Sequence, residues 1–219
     1  VYLDTDTVTL RSFSRLGDAG VLCGRERIAL PAWLKRSRRP LAWLRAGALL
    51  AARDLCRRLP AGYRAFAPLE RLYPAEVNNA VFGARPGHPF VAELIERMVE
   101  MDPDRQLVRY ALGTALLQDA VADADRRDLL VCEPARFYPL GPEISEHWFR
   151  PLAGLDAATE VARVLDERTV LVHWYASVRT REIVPRIDPG YLRRNARRQL
   201  FSALALPVLE DIERAAAAS

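Results

Sequence analysis

Apolar residues along this chain occur in two spacings, short continuous runs and longer stretches with helical periodicity. The short runs are rich in β-branched residues and predict strands at residues 1–3, 21–30, 129–132 and 170–174. The periodic stretches predict helices at residues 89–101, 107–122, 157–165 and 191–218. Strands that alternate with helices in this way predict an α/β fold.

Residues 33–64 differ from the rest of the chain in charge. They contain nine basic residues and one acid, Asp54, which gives a net charge of +8 and leaves the remainder of the chain net acidic. Pro40 suits the first turn of a helix and Pro60 its end. The apolar stripe of this predicted helix consists of Leu41, Leu44, Ala48, Ala52, Leu55 and Leu59. Two interpretations stay open: a helix packed on the body with a solvated basic face, or a helix that contacts an anionic membrane surface through Trp33 and Trp43.

Composition excludes several classes of protein. With 219 residues, 50% apolar and 27% charged, the chain is a folded domain or a large piece of one, and it is not disordered. Three widely spaced cysteines exclude a disulfide framework and predict reduced, mostly buried thiols. A net charge of +4 is mild for a nucleic-acid-binding domain, so we expect no nucleic-acid partner. The chain opens at Val1 inside a predicted strand, and we expect it to be the later part of a longer protein.

Two carboxylates directly follow the first strand. Asp4 and Asp6 are two residues apart, so on extended backbone both point to the same side. Side chains placed in this way can converge on a hard cation such as Mg²⁺ or Mn²⁺, which prefers oxygen ligands and often completes its shell with substrate phosphates. The sequence therefore predicts a metal site at the end of this strand.

The same residues allow a second interpretation. Haloacid-dehalogenase-like phosphatases also carry Asp-x-Asp after an apolar strand, with the first Asp as nucleophile and the second as general acid. That chemistry needs a downstream lysine and a later acidic pair. Lys35 is the only lysine here and lies in the basic segment, which counts against a phosphatase.

Further candidate residues follow later strands. Asn78 and Asn79 offer both donors and acceptors, which suits sugar hydroxyls, although a turn stabilised by asparagine side chains is the more ordinary interpretation. His173 ends a β-branched strand, where α/β folds place their sites, and could serve as a metal ligand or a diphosphate donor. We expect His88 to begin a helix or lie in a loop, and His147 to be structural.

Six blocks of sequence occur in the order of a known family. They begin at Tyr2, Asn78, Gly87, Leu112, Phe137 and Val172 and read YLDTD, NNA, GHPF, LGTALL, FYPL and VHW. Each block alone is too short to identify a family, but the six in this order resemble the Asp-x-Asp glycosyltransferases of family 32. This family includes α-1,6-mannosyltransferases, α-1,4-galactosyltransferases and bacterial capsule and lipopolysaccharide enzymes.

The resemblance implies a GT-A fold that begins here at the Asp-x-Asp strand, a divalent metal (Mn²⁺ or Mg²⁺) and a retaining transfer. It implies that Asp4, Asp6 and His173 hold the metal and the donor diphosphate. It implies that Asn78 and Asn79 lie near the transferred sugar or the acceptor, and that Gly113 and Thr114 lie on the loop lining the pocket. Family members usually have Gly-Pro at this last position, and the long basic segment and the absent upstream half are further departures.

Taken together, these observations predict a metal-dependent transferase that moves a hexose from a UDP- or GDP-sugar to a glycan or lipid-linked acceptor. We expect a catalytic domain over residues 1–190, with the basic insert at 33–64, and a helical tail over residues 191–219. We expect it to act in the cytoplasm, at the inner face of the membrane. The alternative is a glycan- or nucleotide-binding remnant without catalytic activity.

Overall fold

The computed structural model describes residues 1–124, 126–178 and 180–218. Half of the chain is helix and 14% is strand, and the main sheet is mixed, so the α/β prediction is confirmed at this level.

The described strands form two β-sheets, one of four strands and one of two. The larger has the order β1-β4-β3-β5, where only the β3 and β5 pair is parallel. The smaller pairs β2 with β6 in antiparallel fashion. The strands are β1 (Tyr2–Leu3), β2 (Thr7–Thr9), β3 (Val21–Arg27), β4 (Ala75–Ala84), β5 (Leu129–Cys132) and β6 (Leu171–His173).

The helices lie in the segments between these strands and after the last of them. They are α1 (Ala32–Lys35), α2 (Pro40–Arg58), α3 (Tyr63–Glu70), α4 (Pro89–Glu100), α5 (Pro103–Gln106), α6 (Leu116–Asp123), α7 (Ala157–Val164), α8 (Pro189–Asn195) and α9 (Leu200–Ala217). Proline stands in the first turn of α2 and of α4, as its fixed φ and missing N–H favour. Among the described residues, no helix is both long enough and apolar enough to cross a bilayer.

An aromatic core joins the smaller sheet to the C-terminal helices. Trp148 is fully buried, and the rings of Phe149, Trp174 and Phe201 pack against one another with centroids 4.7 to 5.6 Å apart. Offset and edge-on ring contacts of this kind stabilise a core beyond the apolar area they bury. Helix α9 is therefore part of the same core as β6.

Two predicted helices are interrupted. The prediction over residues 107–122 is wrong in its first half, because Tyr110 adopts a left-handed backbone (φ 70°) and a π-helical turn at Ala111–Ala115 precedes α6. The prediction over 191–218 is broken between α8 and α9, where the Gln199 side chain turns inward and donates to the Phe149 carbonyl. Burying a polar side chain requires such a partner, and this one fixes the break.

The register of β3 against β4 shifts abruptly. Cys23 pairs with Phe82, but the next residue, Gly24, pairs with Asn78, so residues 79–81 have no partner in β3. A side chain at Gly24 would overlap the rings of Phe137 and Tyr138, since a Cβ there would lie 2.6 Å from both. Irregularities of this kind are frequent beside functional sites, where they redirect a side chain.

Candidate metal and donor site

Asp4 and Asp6 lie on the connection between β1 and β2. The Asp4 N–H donates to the Ala80 carbonyl at 2.9 Å, which continues the β1–β4 pairing by one residue. The Thr7 hydroxyl donates to the Asp4 carbonyl at 2.8 Å and closes the turn. The Tyr2 hydroxyl donates to the Asp4 carboxylate at 2.7 Å. The backbone of the Asp-x-Asp segment is therefore fixed on both sides.

The Asp6 carboxylate is held by residues that lie about 170 positions later in the sequence. Thr7 pairs with His173 in the smaller sheet, and this register brings Asp6 Oδ1 to 3.0 Å from His173 Nε2. The Ala176 N–H donates to Asp6 Oδ2 at 2.7 Å. Burial favours the neutral acid, but the bonds from His173 and Ala176 outweigh it, so the pKa of Asp6 lies below its ordinary value. Asp6 is thus a carboxylate at neutral pH.

Asp4, Asp6 and His173 form one group of potential metal ligands. One ligand atom from each lies within 4.8 Å of the others, and His173 is buried while the two carboxylates are half-buried. Among the described residues, the buried His173 Nδ1 has no hydrogen-bond partner, while Nε2 faces Asp6. Carboxylate oxygens suit Mn²⁺ and Mg²⁺, and an imidazole beside them fits Mn²⁺ better than Mg²⁺, so the group is a candidate site for a divalent cation.

Next to His173 lies a buried polar pair, Tyr175 and Glu26, that was not predicted from the sequence. The Tyr175 hydroxyl donates to Glu26 Oε2 at 2.7 Å, and its ring lies 4.1 Å from the His173 ring. The Asn78 amide is also close enough to Glu26 to affect its ionisation. Burial raises the pKa of Glu26, and the Asn78 amide and the Tyr175 hydroxyl oppose that rise. Tyr175 therefore connects the buried Glu26 carboxylate to the ring of His173.

Tyr175 also has an unusual backbone. Its φ is 59°, which is rare for a bulky side chain and costs on the order of 1 kcal/mol or more. This conformation turns the next N–H, that of Ala176, toward Asp6. The sequence contained one clue to the role of Tyr175, because this residue stands only two positions after the predicted ligand His173.

Asn79, Gly113 and Thr114 form a second group. The Thr114 hydroxyl donates to Asn79 Oδ1 at 2.9 Å, and a side chain at Gly113 would lie 3.2 Å from Asn79 Nδ2. Both asparagines lie in β4, so the turn is wrong, but the expected local asparagine bond is present, because Asn78 Oδ1 accepts from the Ala80 N–H at 2.7 Å. Within the described residues, neither Asn79 nor Thr114 hydrogen-bonds to Asp4, Asp6 or His173. The predicted site residues thus meet in two groups that share β4.

The other candidate residues lie outside both groups. His88 is the N-cap of α4, where its Nδ1 accepts from the Phe90 N–H, as predicted for a helix start. His147 is buried, and burial lowers its pKa to about 4. The predicted buried thiols are confirmed, since Cys23, Cys56 and Cys132 are all buried and unpaired.

Comparison of the chain with protein-family models, with curated proteins and with solved structures gave no match.

Proposed function

We propose that this chain is the catalytic part of a metal-dependent, GT-A-like glycosyltransferase of the family 32 type. It transfers a hexose, with retention of configuration, from a UDP- or GDP-sugar to a glycan or lipid-linked acceptor. One observation carries the proposal: residues far apart in sequence, Asp4, Asp6 and His173, converge within 4.8 Å as a group that could hold a divalent cation. Two independently recognised sequence blocks therefore contribute to one site.

The chemistry of such a transfer explains the choice of residues. The leaving group is a nucleoside diphosphate, and a divalent cation bound there neutralises the negative charge that develops on it. Asp4, Asp6 and His173 would hold that cation. Asp6 is kept ionised by His173 and by the Ala176 N–H, so it is available as a ligand at neutral pH.

Residues beside the metal group would position the sugar and the acceptor. Asn79 in β4 is hydrogen-bonded to Thr114, which lies in the π-helical turn that precedes α6. Their amide and hydroxyl groups can bind sugar hydroxyls, and holding donor and acceptor in a reactive orientation supplies much of the acceleration in group transfer.

The direct test is Mn²⁺-dependent release of UDP or GDP from a panel of sugar nucleotides. The assay uses the full chain. We expect one nucleotide to be released, and we expect Asp4→Asn/Asp6→Asn to abolish the release. Asp102→Asn/Asp104→Asn is the matched control, because these two acids have the same spacing and lie at the start of α5. It retains the activity of the parent.

A binding module without transfer activity is the second candidate. Its support is that the group Asp4, Asp6 and His173 could bind a cation and a diphosphate without any transfer step. Metal-dependent binding of a sugar nucleotide with no nucleotide release would establish this candidate. Absence of both binding and release with every donor would contradict both.

A further inference from the structure

The apolar stripe of α2 faces solvent. Leu41, Leu44 and Leu55 are 78%, 71% and 61% exposed, although their helical spacing is typical of a buried face. The helix packs on the body through its other side, where Ala46 and Cys56 are buried. Contiguous exposed apolar side chains on one helix face are unusual on a protein surface and indicate a contact.

The basic residues of the same segment divide into two sets. Arg53, Arg57 and Arg64 turn toward the body and pair with Glu143, Glu146 and Glu160 respectively. The others have exposed side chains and form no ion pair within the described residues. They are Lys35, Arg36, Arg38, Arg39, Arg45 and Arg58. The structure therefore concentrates the uncompensated charge around α1 and the first half of α2.

Two tryptophans lie in the same region. Trp33 and Trp43 are both exposed, and the indole N–H of Trp43 donates to the Ser37 carbonyl at 2.9 Å. That bond ties the cationic loop between α1 and α2 to the helix. No acid occurs between residues 27 and 53. Glu76, on β4, contacts this region where it accepts from the Ala32 N–H at 3.0 Å.

We propose that this surface, here called the basic apron, docks on an anionic lipid bilayer. The basic apron consists of Trp33, Trp43, the leucines Leu41 and Leu44, and the exposed cations Lys35, Arg36, Arg38, Arg39 and Arg45. Leucine and tryptophan side chains interleaved with cations match the boundary between acyl chains and anionic headgroups. A nucleic acid would engage the cations but not the leucines. The inference goes beyond the proposed activity and does not depend on it.

Vesicle binding tests the proposal without any donor or acceptor. The chain is sedimented with vesicles of phosphatidylcholine alone and with vesicles that also contain phosphatidylglycerol, at low salt. We expect binding only to the anionic vesicles, with a blue shift of the tryptophan fluorescence. Because each cation near such a surface contributes about a fivefold factor, Arg36→Gln/Arg38→Gln/Arg39→Gln weakens binding by roughly 100-fold.

A matched variant removes the same charge elsewhere. Arg105, Arg181 and Arg197 are exposed and make no side-chain hydrogen bond among the described residues, so their triple glutamine variant leaves specific docking intact. The apolar contribution is tested by Leu41→Ser/Leu44→Ser, which weakens binding to anionic vesicles by roughly tenfold or more. All these positions are exposed, and unfolding temperatures verify that each variant folds.

Four results with vesicles would overturn the proposal, and two results with other partners would replace it. One is absence of binding to anionic vesicles, and another is equal binding to neutral and anionic vesicles. A third is equal weakening by the two arginine triples. The fourth is unchanged vesicle binding in the leucine variant. If that variant instead dissociates a dimer, the stripe is a self-association surface. If duplex nucleic acid binds equally well to the parent and to the leucine variant, the basic apron is a general polyanion site.

Discussion

Replacing Glu160 with glutamine tests how the basic segment is held to the body of the protein. Glu160 lies on α7 and is only 2% exposed. Its carboxylate accepts from the Tyr63 hydroxyl at 2.6 Å and from Arg64 Nε at 2.7 Å, both on α3. Arg163 approaches the same carboxylate at 3.4 Å. A buried carboxylate with these donors is stabilised only while it is ionised.

The size of the effect follows from the pKa of Glu160. Hydrogen bonds from Arg64 lower it from an ordinary 4.5 to about 2, with Tyr63 contributing and burial opposing. This difference corresponds to about 3 kcal/mol of stability at neutral pH. For a domain of this length, Glu160→Gln therefore lowers the unfolding temperature by about 6–12 °C. Glu96→Gln, at an exposed position on α4, is the control and leaves the temperature unchanged.

The pH dependence of the free energy of unfolding tests whether ionised Glu160 stabilises the fold. Because the pKa of Glu160 is lowered in the folded state, its contribution is complete above the unfolded value and is lost as the pH falls toward 2. Denaturant unfolding at a series of pH values measures the difference in the free energy of unfolding between the parent and Glu160→Gln, here called the gap. We expect a constant gap above about pH 5 that closes between pH 4.5 and pH 2. A gap that does not change with pH, or a variant as stable as Glu96→Gln, would refute the reasoning.

Three further predictions concern buried groups. Burial raises the pKa of Glu70 from 4.5 to about 7, so the folded state loses stability as the pH rises above 4.5, and the loss is complete above pH 7. In denaturant unfolding, Glu70→Gln is therefore expected to be more stable than the parent by about 3 kcal/mol at pH 8 and by less than about 1 kcal/mol at pH 5. The reverse order would contradict the burial of Glu70. Burial also raises the pKa of Cys23 to about 12 and that of Cys132 to about 11, so a thiol reagent at pH 8 is expected to label them only after denaturation. Rapid labelling of the native chain would show the packing to be wrong. Tyr175→Phe removes the bond to Glu26 but keeps the ring beside His173, and it is expected to cost about 1–3 kcal/mol while Mn²⁺ binding persists. Tyr175→Ala is expected to lose Mn²⁺ affinity as well, and calorimetric titration that finds it unaffected would exclude a positioning role.

The pattern of apolar residues and prolines predicted those helices and strands whose bounds depend on neighbouring residues in the sequence. The strand at residues 129–132 was predicted with the bounds that the structure has, and α2 begins at Pro40 as its first-turn proline indicates. The apolar period also predicted that α2 is amphipathic. It could not predict which side faces the body, because Arg53 and Arg57 are drawn inward by acids about 90 residues away in sequence.

The site was predictable in its ligands but not in their surroundings. Asp4 and Asp6 follow a short strand and His173 ends another, which are local signals, and the structure brings the three residues together. Glu26 and Tyr175 are 149 residues apart, and no local pattern links them. The shift in register that frees residues 79–81 depends on the close approach of Phe137 and Tyr138 to Gly24. Such features arise from tertiary packing, which periodicity alone does not encode.

The central claim is that Asp4, Asp6 and His173 bind a divalent cation. The most direct measurement is the loss of the free Mn²⁺ signal in electron paramagnetic resonance as chain is added, with and without UDP or GDP. The account predicts that the parent chain and Asp102→Asn/Asp104→Asn bind one Mn²⁺ each, while Asp4→Asn/Asp6→Asn and His173→Ala bind far more weakly. Identical titrations for all four chains in every condition would contradict it.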